Sequence, residues 1–173
     1  MNPVEREPQT DRTRTVTWHD PMIGAEAAKG MAGLEYLLAM KRGEMPPPPF
    51  MALIGIGVGD VDAGRVTFKL VPTEVHYNPI GSVHGGIVST LTDSAMGCAV
   101  HSLLPAGTGY TTLELKVNFL KSLTRDTGEV VCEGKAIHVG GRVATAEARL
   151  TDAASILYGH ATTTCLILRG GRS

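Results

Sequence analysis

The segment from His84 to Leu104 most constrains how this chain can fold. It holds the most apolar stretch of the sequence, Ile87 to Leu104, interrupted by Asp93 and His101. A strand of ordinary length is about 5–6 residues, so one strand cannot absorb it. Ile87, Leu91, Ala95 and Ala99 recur at a spacing that places them on one stripe of a helix, and Pro105 and Gly107 then end it. The segment is expected to be one long buried helix.

The flanking sequence alternates instead. Met51 to Val58 is an apolar run, Gly59 to Gly64 carries turn residues, and Val66, Phe68 and Leu70 alternate with Arg65, Thr67 and Lys69, which predicts a β-hairpin. Pro72 to Val83 carries Pro, Asn and Gly and predicts a loop. After the helix come four strand-like runs, around Leu113–Phe119, Val130–Ala136, Ala144–Leu150 and Ile156–Leu168. The inward positions of the later runs are mostly small, which lets a sheet curve closely around a helix. The expected class is α+β: an antiparallel sheet wrapped around a long central helix.

Before Phe50 the chain differs. Met1 to Asp20 is polar, of mixed charge and expected to be mobile; it lacks the apolar core of a secretory signal. Gly24 to Lys41 predicts a helix through Ala27, Met31, Leu34, Leu37 and Leu38, and Pro46 to Pro49 predicts a stiff connector. Residues 1–49 are therefore expected to be an extension packed on a main domain of residues 50–169.

Net charge is −1, which gives no basic excess to suggest nucleic acid or a membrane surface as partner. No window approaches the ~20 apolar residues that span a bilayer. Cys98, Cys132 and Cys165 stand far apart, make no metal spacing with a histidine and are odd in number, which favours a reducing cytoplasm and core-filling thiols. His76, His101, His138 and His160 show no metal spacing either and are expected to be structural; no metal is expected.

The chemistry-bearing residues cluster at the start of the predicted helix. Asn78-Pro79-Ile80-Gly81-Ser82-Val83-His84-Gly85-Gly86 leads into it, and Asp93 follows inside it. The first backbone N–H groups of a helix have no intrahelical partner and carry the positive end of its dipole. Glycine at Gly85 and Gly86 leaves them open to a ligand. A carbonyl held there would have its developing oxyanion stabilised by about 2.7–4 kcal/mol per donor, with Asn78 a candidate second donor and His84 a candidate for orienting the loop or the carbonyl. Asp93 is the candidate base or nucleophile. Burial beside Leu91, Ala95 and Met96 would raise its pKa and favour the base; an ionised carboxylate would favour the nucleophile.

These residues resemble the PaaI-type branch of the hotdog-fold acyl-CoA thioesterases. The family has an Asn, a His-Gly-Gly opening the central helix and an acidic residue about two and a half turns later. Here His84 lies six positions after Asn78, and Asp93 nine after His84. Leu115 to Leu120 also resembles the family's strand after the helix, and the likeness runs from about Phe50 to Leu168. The resemblance implies hydrolysis of acyl-CoA thioesters with no cofactor beyond the CoA of the substrate. It implies an oxyanion hole from the Gly85 N–H and Asn78, a water-positioning hydroxyl from Thr111 or Thr112, and composite sites at a dimer interface.

Helix geometry leads to the same dimer. Gly85 and Asp93 are about 12 Å apart along the axis and about 80° apart around it, so one thioester carbon cannot touch both. Two antiparallel helices related by a two-fold axis would bring Gly85 of one chain beside Asp93 of the other, twice. Gly86, Thr90, Asp93 and Gly97 form a small stripe suited to such an approach, as a dimer or a dimer of dimers. For the CoA phosphates the candidate cations are Arg142, then Lys121, Arg125 and Lys135.

Plainer readings exist for each residue. Charged helix residues usually face water, which would make Asp93 ordinary. The glycines could serve only a turn, His84 only the helix start, and the cations only a solvated surface. Two rival functions remain. An acyl-CoA hydratase of the same fold places an Asp closely before its Asn and a His just after its Pro. Here Glu74 is the nearby acid and His84 lies five positions past Pro79. A non-catalytic acyl-CoA sensor would need an effector segment, and residues 1–50 lack a helix-turn-helix pattern.

Overall fold

The computed structural model describes residues 11–169. Six antiparallel strands form one sheet: β1 (Ile56–Asp62), β2 (Arg65–Leu70), β3 (Thr108–Phe119), β4 (Val130–Val139), β5 (Val143–Asp152) and β6 (Leu157–Arg169). Their order across the sheet is β1-β2-β4-β5-β6-β3, so β1 and β3 are its edges. Helices α1 (Pro21–Gly30), α2 (Gly33–Lys41) and α3 (Pro49–Ile54) precede the sheet, and α4 (Gly85–His101) lies between β2 and β3 in sequence. This is the expected order of two strands, a long helix and four strands, and it is the hotdog arrangement.

The core forms where α4 rests on the sheet. Leu91, Ala95, Met96 and Val100 are fully buried against Phe68, Val130, Cys132 and Leu150, with Ala144, Ala146 and Ala148 filling the sheet side. Small residues there let the two backbones come close. A Cβ on Gly134 of β4 would lie 2.2 Å from the carbonyl of Ala95, so only glycine fits beneath the helix at that point.

The N-terminal region departs from expectation. The helix predicted for residues 24–41 is two helices, because Met31 and Ala32 are extended. The break lets Gly33 approach the end of α4: its N–H bonds the Leu104 carbonyl at 3.0 Å, and a Cβ on Gly33 would strike the His101 carbonyl. A long straight helix would carry that contact away. The apolar run 51–58 splits into the end of α3 and the start of β1, separated by Gly55 at φ 83°. The expected boundary at 49/50 falls inside α3. Gly59, Asp60 and Asp62 belong to β1 rather than to a turn, because a bulge between Val58 and Val61 lets the strand continue, with the Asp60 N–H on Thr67 Oγ1 at 2.6 Å. The turn itself is Ala63–Gly64.

Of the stretch expected to be mobile, residues 1–10 lie outside the described residues. Residues 11–20 form no helix or strand; Arg12 pairs with Glu74 at 2.8 Å and Arg14 donates to the Ala52 carbonyl at 3.2 Å. The predicted loop 72–83 contains one 3-10 turn, Glu74–His76. Among the described residues, no helix is long and apolar enough to cross a membrane.

Candidate active site

The loop before α4 is built by its own side chains. Asn78 Oδ1 accepts from the N–H groups of Ile80 at 3.0 Å and Ser82 at 3.2 Å, and Asn78 Nδ2 donates to Ser82 Oγ at 3.1 Å. One Nδ2 hydrogen remains for a ligand. Buried His76 anchors the loop from beneath. Its Nδ1 accepts from the Thr73 N–H, so Nε2 carries the hydrogen and donates to the Ile54 carbonyl at 2.8 Å, while its own carbonyl takes the His84 N–H.

His84 is the N-cap of α4. Its Nδ1 accepts the Gly86 N–H at 2.9 Å, which uses that donor and leaves the Gly85 N–H as the open one at the helix start. Gly85, Asn78, Val88, Phe119, Lys121 and Tyr158 line one cavity of about 310 Å³. The Phe119 ring lies over Gly85, where a Cβ would approach it to 3.1 Å.

Asp93 opens into a different cavity of about 320 Å³, which it lines with Phe68, Ser94, Cys98, His101 and Tyr110. Its neighbours are not the ones expected: Leu91, Ala95 and Met96 point into the core, and Asp93 stands on the other side of the helix. Thr112 Oγ1 donates to Asp93 Oδ1 at 2.8 Å. Of the two candidate hydroxyls, Thr112 thus meets the carboxylate, while Thr111 points away and is exposed.

The two cavities share no lining residue. Within one chain the candidate donors and the carboxylate lie in separate cavities at two points along α4. The small stripe proposed for helix approach is shorter than expected, because Gly97 is buried under the Tyr110 ring, whose hydroxyl a Cβ would meet at 2.5 Å.

Burial shapes the groups around Asp93. It pushes the Cys98 thiol up to about 12 and the Tyr110 phenol well above its ordinary value, so both stay protonated near neutrality. It pushes His101 down, which keeps that ring neutral. Cys98 therefore lines a cavity rather than filling the core, unlike Cys132 and Cys165.

The candidate cations scatter. Lys121 lines the Gly85 cavity, with Nζ 5.9 Å from the centre of the Tyr158 ring. Arg142 is exposed at the β4–β5 turn, Lys135 is exposed on β4, and Arg125 is exposed before β4. The sequence reading missed Tyr110 and Tyr158. The one available signal was Gly97, a small residue in mid-helix that an aromatic could cover.

A family profile described as the thioesterase superfamily matches residues 80–157. The chain is 31% identical over 102 residues to a putative esterase of Halobacterium salinarum, covering 56% of this chain and 66%, just under two thirds, of that protein. It is 29% identical over 99 residues to the 1,4-dihydroxy-2-naphthoyl-CoA hydrolase of Listeria monocytogenes, covering 57% of this chain and 79% of the relative. Among solved structures, a putative thioesterase of Ralstonia eutropha related to phenylacetic acid degradation superposes with a TM-score of 0.69 at 28% identity, covering 76% of this chain and 98% of that one. These likenesses agree with the sheet order and central helix described above: the chain has the hotdog fold, and residues 80–157 are similar to the thioesterase superfamily.

Proposed function

We propose that this protein hydrolyses acyl-CoA thioesters at two identical sites, each shared between the subunits of a two-fold dimer. The observation that carries the reading is the separation of the Gly85 and Asp93 half-sites into cavities with no common residue. Each holds what the other lacks: oxyanion donors in one, a hydrogen-bonded carboxylate in the other.

The edge strand supports the pairing independently. Inside one chain Phe119 lies against Gly85, and Thr112 against Asp93. Bringing Gly85 beside the partner's Asp93 therefore brings Phe119 opposite the partner's Thr112. That is an antiparallel register between two β3 strands, and β3 is a sheet edge with Leu113 and Phe119 exposed.

In the shared site the thioester carbonyl oxygen takes hydrogen bonds from the Gly85 N–H and Asn78 Nδ2. Asp93 of the partner subunit removes a proton from a water molecule, whose oxygen forms the new bond to the carbonyl carbon. The C–S bond then breaks, the electron pair leaves with sulfur, and the proton returns to the CoA thiolate. Thr112 favours the base role: its hydroxyl hydrogen is committed to Asp93, so its lone pairs are free to accept from that water. Lys121, on the Gly85 side, is the cation nearest the CoA arm.

Subunit mixing tests the reading. Asp93→Ala and Asn78→Asp are each inactive alone in a thiol-release assay. In a mixed dimer one site collects both lesions and the other collects neither. Random reassociation makes half of the dimers mixed, each with one working site in two, so activity returns to about a quarter of wild type. No recovery after verified exchange places both half-sites on one chain and overturns the shared site. A wild type inactive on every acyl-CoA overturns the reaction.

A further inference from the structure

The cavity beside Asp93 has an outer wall whose α2 part lies before the span of the sequence resemblance. Tyr36 and Met40 of α2, and Phe50 and Met51 of α3, line it opposite Cys98 and Tyr110 of the main fold. α2 and α3 both lie before residue 80, where the thioesterase profile begins. Resting on the proposed reaction, we propose that this cavity receives the acyl group and that α2, through Tyr36 and Met40, sets the size of acyl group the enzyme accepts.

Three observations carry this. The first is position: Asp93 lines the cavity, so a thioester carbon attacked there has its acyl group within reach of it. The second is size and lining. About 320 Å³ walled largely by aromatic, thioether and aliphatic groups exceeds the needs of an acetyl group; a dry cavity of roughly 150 Å³ already holds a benzene ring. The acyl group is therefore an apolar one of ring or medium-chain size. The third is rigidity. α2 is fixed against the end of α4 by the Gly33 N–H on the Leu104 carbonyl, by the backbone contact of Gly33 with His101, and by the edge-on Tyr36–His101 ring pair with centroids 6.0 Å apart. A wall held that way sets a size limit instead of yielding to each substrate.

The hydrogen-bond partner of Asp93 is Thr112 rather than Tyr36 or Met40, so their substitution should change selectivity without removing the chemistry. The test measures kcat/KM by thiol release on straight-chain acyl-CoA esters from acetyl to decanoyl, plus benzoyl and phenylacetyl, for wild type, Met40→Trp and Met40→Ala. Met40→Trp is expected to lower kcat/KM at least tenfold on the largest good substrates and less than threefold on the shortest one the wild type turns over. Met40→Ala is expected to move the preference towards longer chains, and as the milder change it carries the test if Met40→Trp fails to fold. Parallel loss across the panel, or an unchanged preference in both variants, overturns the assignment of the acyl wall. A wild type inactive on the whole panel overturns the thioesterase reading instead.

Discussion

Thr112 and Asp93, on different elements of the main fold, are joined by a hydrogen bond of 2.8 Å from the threonine hydroxyl to Oδ1. The carboxylate, which lines its cavity, is thereby fixed in rotation. Asp93→Ala should lower kcat on the order of 10²- to 10⁴-fold, the usual range for a general base. Thr112→Val, which keeps the shape and removes the hydroxyl, should lower it about 10- to 100-fold through misplacement of the carboxylate and its water. Thr112→Ser should restore most of the rate, and Thr111→Val should change little. Steady-state kinetics on one acyl-CoA checks the series, and equal effects at positions 111 and 112 would contradict it.

Asn78 has two separable duties. Its Oδ1 shapes the loop, and its Nδ2, bonded once to Ser82, keeps one hydrogen on a side chain that lines the cavity. Asn78→Asp keeps the acceptor and replaces the donor by a negative charge where an oxyanion must form. Activity should fall about 10²- to 10³-fold, the scale of one lost oxyanion donor, with a melting temperature close to wild type. A large fall in melting temperature would show that the loop, not the donor, was lost.

How much of this was legible in the sequence follows from which signals are local. The helix from Gly85 to His101 announced itself by length and stripe, and His84-Gly85-Gly86 marked its start. The strand order followed from period-two runs. The split between α1 and α2 was illegible because its cause is non-local: Gly33 meets the end of α4, far along the chain. β1 was shortened for a similar reason, since its polar residues are accommodated by a bulge that depends on Thr67 of the neighbouring strand. Asp93 and Asn78 could be picked out as residue types in a pattern, but the choice of Thr112 over Thr111 needed the facing of β3.

The contact of Gly134 with the backbone of α4 predicts a sharp stability effect. Gly134→Ala would place a carbon 2.2 Å from the Ala95 carbonyl, and neither backbone can yield cheaply. Overpacking of this kind costs about 1–3 kcal/mol or more, read as a lower midpoint in urea denaturation. Gly57→Ala is the control: nothing lies within 4 Å of its added carbon, so its midpoint should stay near wild type.

His101 gives a pH dependence whose sign is fixed. Burial lowers its folded pKa below the unfolded value of about 6.5. Between the two values the unfolded chain binds the extra proton, so stability is full above about pH 6.5 and declines as pH falls towards the folded pKa. The contribution is at most one proton. His101→Asn should flatten the acid-side slope of unfolding free energy against pH by up to that amount. An unchanged slope would mean that the ring is already free to protonate in the folded state.

The close seating of α4 on small residues of β4 and β5 also bears on how this chain can vary. Where Ala95 meets Gly134, helix and sheet stand nearly backbone to backbone, and no side chain there can grow without parting them. The walls of the Asp93 cavity are side chains instead, contributed by α2, α3, β2, α4 and β3. The frame is fixed by architecture, and the cavity it carries is open to selection.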